Sequence, residues 1–155
     1  MADGPYPAVI MHNFLRGQVD NLAQERRSAN MRAIRAKDTR PELVVRRALR
    51  NAGFTGYRLH RKDLPGKPDI AFLSRKKAIF VHGCFWHGHN CAEGLRRPRS
   101  RQDYWLPKIS GNQTRDARHI AELESQDWSV LTVWECETSD PALHRRLAAF
   151  VAGSC

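Results

Sequence analysis

Two short apolar runs, DIAFLS at residues 69–74 and AIFVHG at residues 78–83, constrain the fold of this chain more than any other feature. Both runs are apolar and rich in β-forming residues, and only the polar linker RKK separates them, so they are predicted to form a β-hairpin. Strands that are apolar throughout are typical of central strands covered on both faces. The core is therefore expected to form around this hairpin.

Helices and further strands are predicted on either side of the hairpin along the chain. Thr39 and Glu42 form a capping box, which predicts a helix that begins there and ends at Gly53. The segment YRLH, residues 57–60, is predicted to be a strand, and the apolar run WSVLTVWEC, residues 128–136, a buried strand. This order of elements predicts an α/β or α+β layer around one sheet.

Three residues in the second half of the chain mark expected helix boundaries. Pro107, within DYWLPKI, is expected to kink or end one helix. Asn112 is expected to cap the helix TRDARHIAELESQ, and Ser139 to cap the last helix. The last helix is amphipathic, with an apolar side made of Leu143, Leu147, Phe150 and Val151.

Charge is the informative part of the composition. The chain has 26 Lys and Arg residues against 16 Asp and Glu residues, a net charge of +10 at pH 7, which favours a nucleic-acid partner. No apolar run approaches the roughly 18–20 residues of a membrane helix, and no signal-peptide pattern is present, so a cytoplasmic location is expected. Residues 1–23 lack periodicity and are expected to be a flexible arm before a single domain, residues 24–155.

The loop GCFWHGHNC, residues 83–91, concentrates potential metal ligands. Zinc prefers four thiolate and imidazole ligands in a tetrahedron. Cys84, His89 and Cys91 supply three, and Cys136, at the end of the last strand, is expected to be the fourth. Such a set leaves no open position, so the Zn²⁺ would be structural. The alternative is that the cysteines are small buried residues and the histidines polar surface.

A second pattern, LPGKPD, precedes the hairpin. Many metal-dependent nucleases hold Mg²⁺ with an aspartate after a proline at the start of a strand, and Asp69 occupies that position. The acid and lysine that usually end the next strand are missing. The main-chain carbonyl of Val81 could replace the acid, and His82 or His87 could carry the proton transfer. The alternative interpretation of Pro-Asp is turn chemistry alone.

Six segments together resemble the very short patch repair endonucleases, bacterial enzymes that nick DNA at a T:G mismatch made by deamination of 5-methylcytosine. The segments are NMRAIRAKDTRPE, LPGKPD, IFVHGCFWHGHNC, YWLPKI, NQTRD and VLTVWEC. The resemblance implies a restriction-endonuclease-like α/β fold, a central mixed β-sheet flanked by helices, with structural Zn²⁺ and catalytic Mg²⁺. It also implies double-stranded DNA with a T:G mismatch as substrate, mismatch-repair proteins as partners, and association with the nucleoid when bound. A dimer is not required for nicking one strand, so a monomer is expected.

The resemblance implies a role for each matching residue. Asp69 matches the Mg²⁺-binding aspartate, and His87 matches the general base for the attacking water. Asp116 matches a second acid that supports either His87 or a metal-bound water. Glu42 matches an active-site glutamate near the water shell of the metal, and His82 lies beside the metal-binding main-chain position of Val81. The residues that match the family's zinc set are Cys84, His89, Cys91 and Cys136.

Aromatic and basic residues match the DNA-contacting positions of the family. Phe85, Trp86 and Trp105 match aromatic wedges that enter the base stack beside the mismatch. Met31 matches an intercalating residue on the N-terminal helix, entering from the opposite groove. Core packing is the default interpretation of Phe85, Trp105 and Met31. The basic residues expected to grip phosphates on the N-terminal helix include Arg32 and Arg35.

Two other functions fit parts of the sequence. A nuclease of the same fold with a different DNA target would use the same catalytic residues. A non-catalytic, zinc-stabilised DNA-binding module would need only the charge, the aromatic residues and the zinc site. One departure from the family bears on activity: Val81 stands where many members have Thr, which is harmless if only the main-chain carbonyl acts.

Overall fold

The computed structural model describes residues 37–153. The expectations for residues 1–23 and for Met31, Arg32 and Arg35 lie outside the described residues. No helix within residues 37–153 has the length and apolar character needed to cross a membrane. The elements in chain order are α1 (Arg40–Asn51), β1 (Arg58–Leu59), β2 (Ile70–Phe72), a 3₁₀ helix (Leu73–Arg75), β3 (Lys77–His82), α2 (Ala92–Leu95), α3 (Gln102–Glu124), β4 (Ser129–Trp134), a second 3₁₀ helix (Glu135–Ser139) and α4 (Leu143–Ala152).

The four strands form one mixed sheet in the order β1-β2-β3-β4. β2 and β3 pair antiparallel, with Ile70 opposite Ile79, so the hairpin prediction is confirmed. β4 lies parallel to β3, with Val81 opposite Val133. A parallel neighbour requires a crossover connection, and the chain makes it through α3. The expected α/β fold, with a mixed sheet flanked by helices, is therefore present.

Helices cover both faces of the sheet, as apolar strands demand. On one face α1 and α4 pack on β2, β3 and β4, and the fully buried residues there include Val45, Leu49 and Leu147. On the other face, Leu123 of α3 packs against Phe80 of β3. Because successive strand residues point to opposite faces, Ile79 and Phe80 enter different halves of the core. The α4 side chains expected to face inward pack in the half of the core between the sheet and the helices α1 and α4: Leu143, Leu147 and Val151 are buried, and Phe150 is partly buried.

The boundaries of α1 follow the local sequence. The hydroxyl of Thr39 accepts a hydrogen bond from the main-chain N–H of Glu42 at 3.4 Å, which satisfies one of the free donors at the helix start. At the other end Gly53 takes a φ of +82° and donates its N–H to the carbonyl of Arg50. Both predicted boundaries are confirmed.

No α-helix begins or ends at the other three predicted boundaries. Pro107 and Asn112 both lie inside α3, which runs without a break from Gln102 to Glu124. Pro107 is the sixth residue of α3, so it removes one intrahelical hydrogen bond and its ring crowds the carbonyl four residues earlier, while the rest of the 23-residue helix keeps its bonds. Ser139 ends the second 3₁₀ helix, and α4 begins after Ala142 without a side-chain cap. The metal-ligand loop, residues 83–91, is followed directly by the short helix α2.

Candidate active site and metal centre

Asp69 lies directly before β2, at the edge where β2 meets β3. Its Oδ2 accepts a hydrogen bond of 2.7 Å from the main-chain N–H of Val81 in β3. Burial raises the pKa of this carboxyl from its usual 3.8 to about 6, although the Val81 N–H acts in the opposite direction. A buried carboxylate of this kind gains from a nearby cation, and oxygen donors are what Mg²⁺ prefers. The donor set of Asp69 and the Val81 carbonyl therefore fits that ion.

The start of α1 adds a second group of polar side chains to this edge. Glu42 is 3% exposed and pairs with the guanidinium of Arg46, whose Nη2 lies 2.9 Å from Glu42 Oε2. The other end of the guanidinium donates to Asp38 Oδ1 at 2.6 Å. His60 connects this group to Asp69: its Nε2 is 3.5 Å from Glu42 Oε2 and its Nδ1 is 3.7 Å from Asp69 Oδ1. Glu42 thus combines its place in the capping box with a place in the candidate site.

The structure brings His82, His87 and Asp116 together. The rings of His82 and His87 are stacked, with centroids 3.9 Å apart and planes 6° apart. His87 Nδ1 lies 2.5 Å from Asp116 Oδ2, a short contact that fixes the ring orientation. Burial lowers the pKa of His82 to about 4, and the nearby His87 acts in the same direction. His82 is therefore neutral at physiological pH.

The two halves of the candidate site meet at the end of β3. Asp69 is bonded to Val81, and the next residue, His82, stacks on His87. Asp69 and His87 are thus connected by contacts through two adjacent residues of one strand. The catalytic residues indicated by the sequence converge on this edge of the sheet, and Asp116 joins them from α3.

The four expected zinc ligands also converge. The ligand atoms of Cys84, His89, Cys91 and Cys136 all lie within 4.8 Å of one another. Cys136 reaches the loop from the second 3₁₀ helix, directly after β4, and its N–H donates to Cys84 Sγ at 3.4 Å. The His89 ring stacks on Trp134, with centroids 4.3 Å apart. Three thiols and an imidazole in this arrangement match the donors of a structural zinc site.

The thiols of this cluster differ in their readiness to ionise. A hydrogen bond from the main-chain N–H of Gly94 lowers the pKa of Cys91 to about 6. Burial raises the pKa of Cys84 to about 12 and also raises that of Cys136. Zinc binding requires thiolates, so loading this cluster would release protons from Cys84 and Cys136.

Three aromatic side chains expected to touch DNA form one half-buried cluster beside the expected zinc ligands. The ring of Phe85 lies 5.3 Å from Trp86 and 5.7 Å from Trp105, centroid to centroid. Tyr104 contacts Trp105 and is itself 42% exposed. Lys108 places its ammonium 5.7 Å from the Trp86 ring centroid and 5.3 Å from that of Tyr104. These rings are therefore not fully buried core residues, and the cluster has a cation at its surface.

Sequence reasoning missed several residues of the site. Asn112 donates its side-chain N–H to the carbonyl of Trp86 at 2.8 Å, and Gln113 donates to the carbonyl of Gly88 at 3.1 Å, so α3 holds the metal-ligand loop. His60 and Arg46 are not among the predicted site residues, yet they lie between Glu42 and Asp69. Asn112 was expected to cap a helix, but its side chain contacts a loop residue 26 positions away in the sequence. A signal for His60 existed only in its position between the end of β1 and the LPGKPD loop.

Sequence comparisons relate the chain to known endonucleases and nicking enzymes. The family model of the DNA mismatch endonuclease Vsr matches residues 19–93. The type II nicking enzyme V.XorIIP of Xanthomonas oryzae pv. oryzae is 54% identical over 129 residues, which cover 83% of this chain and 93% of the relative. The DNA mismatch endonuclease Vsr of Escherichia coli is 40% identical over 133 residues, 82% of this chain and 84% of the relative. The type II nicking enzyme V.NmeAIP of Neisseria meningitidis is 43% identical over 126 residues, 81% of this chain and 89% of the relative.

Proposed function

The chain belongs to the family of the DNA mismatch endonuclease Vsr and is a DNA endonuclease, and we propose that it nicks one strand 5′ to the thymine of a T:G mismatch. Such mismatches arise by deamination of 5-methylcytosine. The reaction is Mg²⁺-dependent, and the substrate is double-stranded DNA. The observation that carries the proposal is the convergence of Asp69, Val81, His82, His87 and Asp116 at one edge of the sheet.

Asp69 and the main-chain carbonyl of Val81 would hold the Mg²⁺. When bound, the ion would neutralise the charge that develops on the scissile phosphate. Glu42 reaches the same edge from α1 and would support this acidic centre. Burial of Glu42 and Asp69 keeps the local dielectric low, so their charges act strongly on a nearby cation.

His87 would act as the general base. The carboxylate of Asp116 can only accept a hydrogen bond, so it holds the proton of His87 on Nδ1 and leaves the lone pair on Nε2. That lone pair is the group that would take a proton from the attacking water. His82 stacks flat against His87 and stays neutral, so it limits rotation of the ring without adding a second positive charge.

The metal-ligand loop would present the DNA-binding surface. A Zn²⁺ held by Cys84, His89, Cys91 and Cys136 would have four protein ligands and no open position, so its role would be structural. Phe85, Trp86 and Trp105 would enter the base stack, and a mismatched step opens at lower cost than a paired one. Met31, Arg32 and Arg35 belong to the proposal as further DNA contacts, from their sequence positions alone.

Cleavage of a duplex panel tests this function. T:G, U:G, matched and methylated duplexes, each strand labelled in turn, are incubated with zinc-loaded protein with and without Mg²⁺. We expect one nick, 5′ to the thymine of T:G, only with Mg²⁺. Failure of the folded, zinc-loaded protein to cut T:G duplexes would contradict the proposal.

The same panel separates the second candidate, a nuclease of this fold with another DNA target. That candidate is favoured by the names of V.XorIIP and V.NmeAIP, which are type II nicking enzymes. It predicts equal or greater cutting of a matched or methylated duplex. The non-catalytic module is not retained, because the relatives are endonucleases and nicking enzymes. A monomer, the mismatch-repair partners and a nucleoid-associated location remain proposals.

A further inference from the structure

Arg46 is the centre of a buried polar network next to the candidate site. Its side chain is 7% exposed, and its terminal nitrogens contact Asp38 Oδ1 at 2.6 Å, Glu42 Oε2 at 2.9 Å and His60 Nε2 at 3.1 Å. A guanidinium has donors and no acceptor. The contact with His60 is therefore a hydrogen bond only if His60 Nε2 is the acceptor.

This contact determines where the proton of His60 lies. If Nε2 accepts from Arg46, the single proton of the neutral ring is on Nδ1. A doubly protonated ring would instead turn an N–H towards the guanidinium, which already neutralises Glu42 and Asp38. The guanidinium nitrogen, at 3.1 Å, is nearer to Nε2 than the Glu42 carboxylate oxygen, at 3.5 Å, so the geometry favours the Nδ1–H tautomer of His60.

His60 Nδ1 faces Asp69. It lies 3.7 Å from Oδ1, and the main-chain N–H of His60 also donates to the carbonyl of Asp69 at 3.2 Å, which holds the two residues in register. The other carboxylate oxygen, Oδ2, is held by the N–H of Val81. The Val81 N–H is hydrogen-bonded to Oδ2, whereas an N–H on His60 Nδ1, at 3.7 Å and beyond hydrogen-bond distance, would attract Oδ1 by electrostatics alone.

We propose that His60, held as the Nδ1–H form by Arg46, is a positioning residue that orients the Asp69 carboxylate for a divalent cation. The proposal rests on the proposed role of Asp69. Groups that orient a ligating carboxylate commonly change metal affinity 10–100-fold when they are replaced. His60 has no direct part in the chemistry.

A metal ion bound by Asp38, Glu42 and His60 is the competing interpretation, since their ligand atoms lie within 4.8 Å of one another. The guanidinium of Arg46 contacts all three residues and supplies the positive charge that a metal would otherwise bring. A cation beside Arg46 would be repelled by it. The network is therefore a support for the neighbouring carboxylate.

The position of the His60 proton is measured by long-range ¹H–¹⁵N correlation spectra. The sample is zinc-loaded protein that contains no Mg²⁺ and is labelled with [¹⁵N]histidine. The His60 signals are identified by their loss in His60→Gln. We expect a protonated Nδ1 and an unprotonated Nε2. Arg46→Met, which removes the donor, should move the proton to Nε2. A wild-type His60 with its proton on Nε2 would overturn the proposal, even where other variants do not fold.

The effect on the cation site is measured in two ways: Mn²⁺ bound by the zinc-loaded protein, followed by electron paramagnetic resonance, and the Mg²⁺ concentration for half-maximal nicking. We expect His60→Leu to lower the Mn²⁺ affinity 10–100-fold and to raise the Mg²⁺ concentration for half-maximal nicking by the same factor. His60→Gln keeps an acceptor and a donor and should remain within about threefold of wild type. His144→Leu, on α4, is the matched control and should change neither.

The outcomes separate this proposal from the proposed function. A folded His60→Leu with wild-type Mn²⁺ affinity and Mg²⁺ dependence, or equal losses in His60→Leu and His60→Gln, would overturn the positioning role while nicking by wild type continues. Wild-type protein that does not nick with Mg²⁺ would instead contradict the proposed function, and the spectra would still decide the form of His60.

Discussion

Asp69 combines two demands at one residue. In its proposed role it must lie at a desolvated edge of the sheet, where its charge would act strongly, and it must stay ionised to hold a cation. Burial raises its pKa to about 6, so the carboxylate is ionised above that pH but at a cost in folding free energy. The residue is therefore expected to oppose stability in metal-free protein.

Replacing Asp69 with Asn tests this conflict. The folded pKa, about 6, is above the usual 3.8, so the stability that Asp69 contributes is fully present below pH 3.8 and is lost as pH rises through about 6. Asn removes that loss, and it can still accept the Val81 N–H. A pKa difference of one unit corresponds to about 1.4 kcal/mol, so the free energy of unfolding of Asp69→Asn at pH 7.5 should exceed that of wild type by about 3 kcal/mol at most.

The measurement is chemical denaturation of protein without Mg²⁺ at several pH values, together with a nicking assay in the presence of Mg²⁺. The gain should grow from pH 4 to pH 6 and stay level above it, while nicking is abolished. Retained nicking, or a gain that shrinks as pH rises, would contradict the assignment.

His87 depends on Asp116 in a similar local way, because the carboxylate fixes which ring nitrogen carries the lone pair. Asp116→Asn preserves the shape but permits the wrong tautomer. We expect single-turnover nicking to fall about 10²–10⁴-fold, the range of general-base contributions, with stability and DNA affinity little changed. Asp127→Asn, at an exposed position, is the matched control. Nicking within threefold of wild type would exclude Asp116 as the support of His87.

At the scale of elements, the metal-ligand loop is held from several sides. Two amides of α3 donate to its carbonyls, and Cys136 of the second 3₁₀ helix meets it at the ligand cluster. The loop follows β3 directly, so the ligands connect the ends of β3 and β4, which pair along their whole lengths. A zinc ion would therefore fasten to the sheet the loop that carries His87 and two of the aromatic rings.

Removal of one ligand should show this coupling. Cys136→Ala is expected to lose zinc and to lower the free energy of unfolding by at least about 3 kcal/mol, because metal binding energy is folding energy. Zinc content is measured by atomic absorption and stability by thermal unfolding with excess Mg²⁺ present. Cys155→Ala, outside the described residues and outside the expected ligand set, is the control. Full zinc content in Cys136→Ala would contradict the four-ligand site.

The LPGKPD loop packs closely on α3. Gly66 has a φ of +71°, and a Cβ there would lie 2.8 Å from the Cβ of His119. Gly56 has a similar φ of +82° with nothing within 4 Å of an added Cβ. The two glycines therefore share the backbone requirement and differ in the close approach.

Alanine at each position separates these effects. Gly56→Ala should lower the free energy of unfolding by about 1–2 kcal/mol, because alanine is strained in this backbone conformation. Gly66→Ala should lose about 1–3 kcal/mol more, since a crowded contact must also be relieved, and it should disturb the segment that carries Asp69. Urea denaturation measures both. Equal losses would show that the loop moves away from α3 freely.

For the whole molecule, the net charge of +10 governs the encounter with DNA. Neutralising phosphates releases counterions, so affinity should fall steeply with salt. Using Asp69→Asn to prevent cleavage, we expect the Kd for a T:G duplex to rise about 10³-fold between 50 and 200 mM salt, as for roughly six phosphate contacts. Thermal unfolding over the same range controls for the fold. A Kd independent of salt would mean that the positive charge does not serve DNA binding.

Local sequence was sufficient where neighbouring residues decide the structure. The hairpin follows from two apolar runs with a short linker, and the start and end of α1 follow from Thr39 and Gly53. Three of the four expected zinc ligands lie within one loop, so their spacing was enough to predict the cluster of side chains that the structure brings together. In each case the interacting groups are close in the chain, and backbone sterics or ligand chemistry limits the alternatives.

Tertiary structure decided the rest. Pro107 and Asn112 carry local signals for helix ends, yet α3 continues through both, because one lost hydrogen bond is small beside its packing on the sheet and its contacts with the loop. Asp69 contacts Val81 of β3 and lies near His60, directly after β1, and the charged residues Glu42 and Arg46 of α1 act on it; only the folded sheet brings these elements to one edge. Such contacts depend on how whole elements pack, and no local pattern in the sequence encodes that.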